Sequence, residues 1–320
     1  MRYSEAVPTV DVIIPAFNAA KFLIPALESV IAQDFEDWRI VLVNDGSTDA
    51  TAEIARRYQE QLGDRMLVIT QRNSGLPASR NAAIRASNAE FLGILDADDV
   101  WLPRRLSSSL KAFENRPEVG LSYGLIQRID ERGVPFSTFP GNPKDAEGRI
   151  APAIYMRRVE FPCPSVTVRR SCLDDVGLFD QTMRATEDRD LWLRIALKYK
   201  VAYVPEIIAY YRTYPTSMST DMDRMLQSQL KFIAKHRGAP GCGLVPSRIA
   251  KSRVYKQRGE VFLERGLPLS ALRSALRAYW IWPFGLDNLR TLASILFHSV
   301  RGNSQAQNAT KVGTGAATPR

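Results

Sequence analysis

Two carboxylates one residue apart, Asp96-Ala97-Asp98, follow the apolar run Phe91–Leu95. That spacing can present oxygens to one hard cation, and Mg2+ or Mn2+ held this way keeps positions open for phosphates. The same residues also read as an acidic turn capping a helix that begins near Pro103. An EF-hand is excluded, because neither its turn glycine nor its closing glutamate is present. A second acidic pair, Glu187-Asp188, opens a helical pattern. The helix dipole favours negative charge there, and a carboxylate in that place can also serve as a general base. Asn44-Asp45-Gly46-Ser47-Thr48-Asp49 joins a turn glycine to a capping aspartate. The alternative is that Asp45 accepts hydrogen bonds from a base or ribose. Arg80, beside Asn81, lies in a helix just after the glycine loop Asn73-Ser74-Gly75, where a cation can meet phosphate or a metal-bound acid. Arg212 closes Tyr210-Tyr211-Arg212 and reads either as a solvated strand-end residue or as a phosphate clamp.

The elements that must position these groups alternate along the first hundred residues. Strands are expected at Val10–Ile14, Trp38–Val43, Met66–Thr70 and Phe91–Leu95, from short apolar runs. Helices are expected over 19–33, despite Pro25, over Asp49–Leu62 and over Pro77–Ser87. This alternation predicts an α/β fold, a mostly parallel sheet with helices on both faces. Ligands in such sheets bind beyond the carboxyl ends of the strands. Each strand here exits into polar or acidic residues, the first into Pro15-Ala16-Phe17-Asn18.

From 119 to 215 the pattern loosens. Strands are expected at Val119–Arg128, Val166–Arg169 and Val201–Val204, a helix at Asp188–Lys200 and a Gly- and Pro-rich loop over 132–152. Beyond 221 the expectation is helical, over 222–236, 247–265, 269–282 and 286–300, with a small, polar, disordered tail at 301–320.

Of the 320 residues 45% are hydrophobic and 24% charged, the profile of a soluble globular protein. The net charge of +9 is unevenly placed. Residues 1–220 hold 27 Lys and Arg against 29 Asp and Glu, whereas 221–320 hold 16 against 5. A protein-wide nucleic-acid surface is therefore not expected, and a basic tail facing phosphates or anionic lipid stays open. Three scattered cysteines without a CxxC pair suit a reducing cytoplasm, and two histidines leave no HExxH. No secretory signal and no apolar run of membrane-spanning length is read. GxGxxG, GxxxxGK[ST] and GxSxG are all missing.

The ordered series Val12-Ile13-Ile14-Pro15-Ala16-Phe17-Asn18, Val43–Asp49, Asn73-Ser74-Gly75 with Ala78-Ser79-Arg80-Asn81, Leu95–Asp99, Gly177-Leu178-Phe179-Asp180, Glu187–Trp192 and Tyr211-Arg212 resembles the family 2 glycosyltransferases of the GT-A fold. The likeness runs over about residues 9–216. It implies a Rossmann-like nucleotide-diphospho-sugar transferase domain over 1–220, a basic helical appendage over 221–300 and a tail over 301–320. It implies an inverting transfer from a nucleotide diphosphate donor to an acceptor hydroxyl on a sugar or lipid-linked glycan, as in surface polysaccharide biosynthesis. By that likeness Asp45 contacts the base, and Pro15 and Phe17 line its pocket. Asn18, Asn73, Gly75 and Arg80 stand on the donor side, and Asp96 lies near ribose and donor. Asp98 binds Mn2+ or Mg2+, Asp188 is the catalytic base, and Arg212 sits near the diphosphate. Phe136, Phe139, Tyr155 and Phe161 are candidate stacking surfaces for the acceptor.

Two other classes are weighed. A sugar-nucleotide-binding module without catalysis would lack a usable base, and Glu187-Asp188 is intact. A nucleotidyltransferase would want a glycine-rich cationic loop after strand one, where this chain has Ala16-Phe17-Asn18-Ala19-Ala20. In the appendage, Arg273, Arg277 and Arg290 alternate with Leu272, Leu276, Tyr279, Trp280 and Trp282. That suits a helix lying peripherally on the anionic inner face of the cell membrane, or equally a helical pair packed on protein.

Overall fold

Seven elements alternate from the start: β1 (Val10–Ala16), α1 (Leu23–Ile31), β2 (Trp38–Asn44), α2 (Thr51–Leu62), β3 (Met66–Thr70), α3 (Leu76–Arg85) and β4 (Phe91–Ile94). β1 is buried along its whole length because β2 and β4 pair with it in parallel on its two edges, and β3 pairs in parallel beyond β2. Such a strand is apolar without alternation. β1 runs through Pro15, two residues past the expected stop. The pairing with β4 ends at Ile13↔Ile94, so Pro15 meets only β2, and its missing N–H falls on an unpaired edge. Pro25 lies in the first turn of α1, where a missing N–H costs nothing.

The computed structural model describes residues 7–139, 146–183, 185–215, 217 and 221–295. They divide into two compact units, 1–232 and 233–320. The first unit continues through β5 (Val100–Trp101), α4 (Arg105–Lys111), β6 (Val119–Ile129), β7 (Pro135–Phe139), α5 (Ala151–Tyr155), β8 (Val166–Arg169), α6 (Arg170–Val176), α7 (Glu187–Lys198) and β9 (Lys200–Arg212). The sheet order is β3-β2-β1-β4-β8-β6-β9-β5, with β7 on β6. β8 enters antiparallel to both β4 and β6, while β6 and β9 run parallel. The buried guanidinium of Arg105 pins this inserted strand, donating to Thr167 Oγ1 at 2.6 Å and to the Val166 carbonyl.

The α/β class and the helix-flanked sheet agree with expectation. β9 is much longer than Val201–Val204, because its apolar pattern breaks at the exposed Pro205-Glu206-Ile207 while the pairing with β6 resumes after register shifts. Within 132–152 the chain forms the edge strand β7, starting on a proline as edge strands tolerate. The core between sheet and helices gathers Leu23, Leu27 and Val30 of α1 with Val12, Ile14, Ile40 and Leu42.

Helix α8 (Met222–His236) crosses from the first unit into the second, which holds α9 (Leu244–Glu264), α10 (Pro268–Ile281) and a helical stretch at 286–295. The expected tail at 301–320 and the end of the expected 286–300 helix lie outside the described residues.

Candidate active site

At the carboxyl ends of β1 and β4 the sheet opens into a cleft of about 700 Å³. Pro15, Phe17 and Asn18 line it from β1, Asp96 and Asp98 from β4, and Asp188 from the first turn of α7. Arg80 and Arg212 line it as well.

The exits of β1 and β2 are tied together. Asn18 adopts a left-handed backbone (φ 48°), which asparagine tolerates better than most residues. Its Oδ1 accepts the Thr48 N–H at 2.8 Å, and its own N–H donates to Ser47 Oγ at 3.0 Å. Asp45 is turned to the neighbouring loop. Its Oδ1 accepts Gln71 Nε2 at 2.7 Å and the Ser74 N–H at 2.9 Å, and its Oδ2 accepts the Gly75 N–H at 2.9 Å. Gly46 (φ 74°) lets the two loops meet, since a Cβ there would stand 2.8 Å from the Asn73 nitrogen. Asp45, Asn73 and Gly75 thus form one braced rim and are not among the lining residues, with Asn73 exposed. Oδ1 already accepts two donors, while Oδ2 retains lone-pair capacity for a further one.

The acidic turn after β4 carries three carboxylates. Neither Asp96 nor Asp98 caps the following helix, whose N-cap is Arg104 without a side-chain bond. Asp98 Oδ2 accepts the Tyr214 hydroxyl at 2.9 Å. Asp99 Oδ1 accepts the Arg212 N–H at 2.8 Å, while its buried Oδ2 has no partner. Burial, and then repulsion from its acidic neighbours, pushes each of Asp98 and Asp99 above the usual carboxylate range. Among the described residues no three His, Cys, Asp or Glu side chains converge as a metal cage. The hard carboxylate oxygens of Asp96 and Asp98, both at the cleft, and the partnerless buried Asp99 Oδ2 beside them fit a divalent cation whose remaining positions go to phosphates and water.

Arg80 links this turn to α7. It is 2% exposed, and its Nη2 donates to Asp96 Oδ1 at 2.6 Å and its Nη1 to Glu187 Oε1 at 2.8 Å. The guanidinium also faces the Phe179 ring at 5.3 Å. Within the chain this cation meets two acids. Glu187 is buried, and burial together with repulsion from Asp188 pushes its carboxyl up to about 7 against the pull of Arg80. Asp188 is half-buried and accepts the Arg189 N–H at 2.6 Å. Burial raises its carboxyl too, against Arg80 and Arg189.

Arg212 is not a solvated strand-end residue, being 8% exposed. Its Nε donates to the Asp98 carbonyl at 2.9 Å, and its Nη1 donates to the carbonyls of Asp130 and Glu131 at 3.1 Å. Its guanidinium lies 4.7 Å from the centre of the Phe22 ring. Tyr214 was not singled out in the sequence. It stands two residues past Arg212, the spacing that puts side chains on one side of an extended chain. Phe22, which packs on Tyr214 at 5.4 Å, and the ion pair Lys21–Glu131 at the cleft were missed as well. Of the aromatics considered for stacking an acceptor, Phe161 is buried against Tyr123 at 4.1 Å and Tyr155 is buried near Phe232, so both are packing residues. Phe136 is exposed, and the Phe139 side chain lies outside the description.

Comparison with known proteins now adds to this geometry. The profile of Glycosyl transferase family 2 matches residues 11–169. An uncharacterized glycosyltransferase of Nostoc sp. is 32% identical over 91% of this chain and 94% of its own length. ExoU, a succinoglycan biosynthesis protein of Rhizobium meliloti, is 31% identical over 73% of this chain and 72% of its own. The mannosyltransferase PcManGT of Pyrobaculum calidifontis, solved with GDP-Man and Mn2+, superposes with a TM-score of 0.63 at 19% identity, covering 92% of this chain and 81% of that one, which speaks for the fold. A relative this similar along nearly its whole length leaves one conclusion: the chain belongs to glycosyltransferase family 2 and has the GT-A fold.

Proposed function

We propose that this glycosyltransferase works by inversion on a nucleoside diphosphate-sugar, with a sugar or lipid-linked glycan as acceptor, in surface polysaccharide or glycoconjugate assembly. The observation that carries the reading is that the Asp188 carboxylate and the Asp96–Asp98 turn face one cleft, held together by buried Arg80. The Mn2+ and GDP-Man bound by PcManGT and the succinoglycan role of ExoU support it. The catalytic domain is placed at 1–220, with the helices after 221 as an appendage that rests peripherally on the inner face of the membrane. Among the described residues no helix is long and apolar enough to cross one.

In the proposed step Asp188 takes the proton of the acceptor hydroxyl as that oxygen attacks the anomeric carbon. The new carbon–oxygen bond forms as the bond to the diphosphate breaks, and the diphosphate leaves with the electron pair. Asp98, with Asp96 beside it, would hold a Mn2+ or Mg2+ ion, which when bound supplies positive charge against the departing diphosphate. Arg80 holds Asp96 in place. Asp45 is assigned to the base and Pro15 and Phe17 to its pocket, with Asn18, Asn73, Gly75 and Arg212 around the rest of the donor.

The test is a panel of nucleotide sugars incubated with the chain and Mn2+, with nucleoside diphosphate release as the signal. One donor is expected to be consumed, the Mn2+-dependent part vanishing in Asp98→Ala. No release from any donor by folded protein overturns the reading. A transferred sugar that retains its anomeric configuration overturns the inverting assignment.

A pH profile separates the two acids. Asp188 accepts a proton only when ionised, so its raised pKa shifts the acid limb of the rate above the ordinary carboxylate range. Glu187→Gln removes a neighbouring negative charge and leaves Arg80 less neutralised. Both changes favour the ionised form of Asp188, so the acid limb should move to lower pH while activity at high pH persists. A limb that stays put would separate Glu187 from the titration.

A further inference from the structure

Helix α10 is inverted relative to the usual economy of burial. It turns Ala271, Ser274, Ala275 and Ala278 inward, with Leu272 half-buried against them, while Leu269, Leu276 and Trp280 face outward. The contact with α9 is made at Gly259, where a Cβ would stand 3.2 Å from the Ala271 carbonyl oxygen. Small residues therefore suffice for the inner face. Leu269, Leu276 and Trp280 form an outer stripe at helical spacing, with Arg273 within it. Trp280 is 83% exposed, and Phe284 and Leu286 just beyond the helix are 81% and 71% exposed. Arg277 and Arg290 are exposed alongside, and from 267 to 290 the sole acidic residue is Asp287. The whole stretch from 233 carries fourteen Lys and Arg against three acids.

We infer that the outer face of α10, continued by Phe284 and Leu286, is the surface by which the chain docks on an anionic lipid bilayer. The chemistry is that of an interfacial helix, with leucines and aromatics to enter the acyl boundary and arginines to meet lipid phosphates. A second copy of the chain fits less well. A two-fold interface would bring each patch of arginines against its own copy, with almost no acid to answer it. This surface deepens the proposed membrane-side role but is read without donor or acceptor, so its fate is separable from the transferase reading.

The full chain is floated with vesicles of phosphatidylcholine alone and of phosphatidylcholine with phosphatidylglycerol. Flotation is expected with the anionic vesicles only. The Trp280→Ser/Phe284→Ser variant should lose it, and Arg273→Glu/Arg290→Glu should bind at least about tenfold more weakly. All four side chains are exposed, so both variants should keep the circular dichroism of the parent. Equal flotation on both vesicle types, or flotation indifferent to both variants, overturns the surface. So does a chain that ignores vesicles but self-associates until Trp280 is replaced, an outcome that assigns the face to a second copy. Diphosphate release from a soluble donor should be the same in parent and variants. A change in that release, without a change in flotation, overturns the surface as a lipid-docking device.

Discussion

Asp188→Asn is expected to lower transfer about 10²–10⁴-fold, the usual loss when a general base is removed. The amide cannot take the acceptor proton, yet it has nearly the size of the carboxylate. It can also still accept the Arg189 N–H that fixes the start of α7. Donor binding should therefore survive, because the groups assigned to the donor belong to β1, β2, β3, β4, α3 and β9 and their exits, and none of them to α7. Calorimetry of nucleoside diphosphate binding with Mn2+, run beside turnover, separates the two effects. Wild-type turnover in this variant would remove Asp188 from the chemistry. Loss of donor binding together with turnover would make it a donor ligand instead.

Arg80→Ala should produce the largest loss of stability at this site. The guanidinium is buried and bridges two carboxylates, Asp96 and Glu187. Removing one partner of a buried pair leaves charge uncompensated, at a cost of about 3–5 kcal/mol. Burial already drives Glu187 toward its protonated form, so part of that cost is met by proton uptake. The sign on activity follows. With Arg80 gone, the ionised form of Asp188 loses a favourable charge, so the acid limb of the rate should move to higher pH, opposite to Glu187→Gln. Chemical denaturation measures the first effect and a pH profile the second. Arg80→Lys keeps the charge but loses the fork that reaches both acids, so it should recover part of the stability only. Unchanged stability and an unmoved limb would mean that Arg80 braces nothing.

The parallel half of the fold was legible because β1 and β2 are largely buried and read as mostly apolar runs, broken only by the Asp11–Arg39 pair before the polar exit at Asn44. Met66–Thr70 and Val166–Arg169 match their strands end to end. The strands that escaped notice lack that signature. β5 is two residues long and exists through its pairing with β9. β7 lies in a stretch whose glycines and prolines suggest a loop. At the site, the residue types announced themselves through strand exits, but their partners did not. The Arg80–Glu187 bond joins residues 107 apart in sequence, and no local pattern encodes it. The bonds from Asp45 to the Ser74 and Gly75 N–H groups likewise depend on two loops meeting at Gly46.

The insertion of β8 between β4 and β6 also bears on how the chain is made. β4 is complete at Ile94, yet the strand that covers its open edge begins at Val166. At about 5–20 residues per second, a ribosome leaves that edge and the facing edge of β6 uncovered for seconds. Pairing across such a span also slows folding, because the loop must close before the contact rewards it. A nascent chain stopped before 166 would carry two unsatisfied apolar strand edges at the centre of its sheet, and aggregation is the expected fate of that fragment.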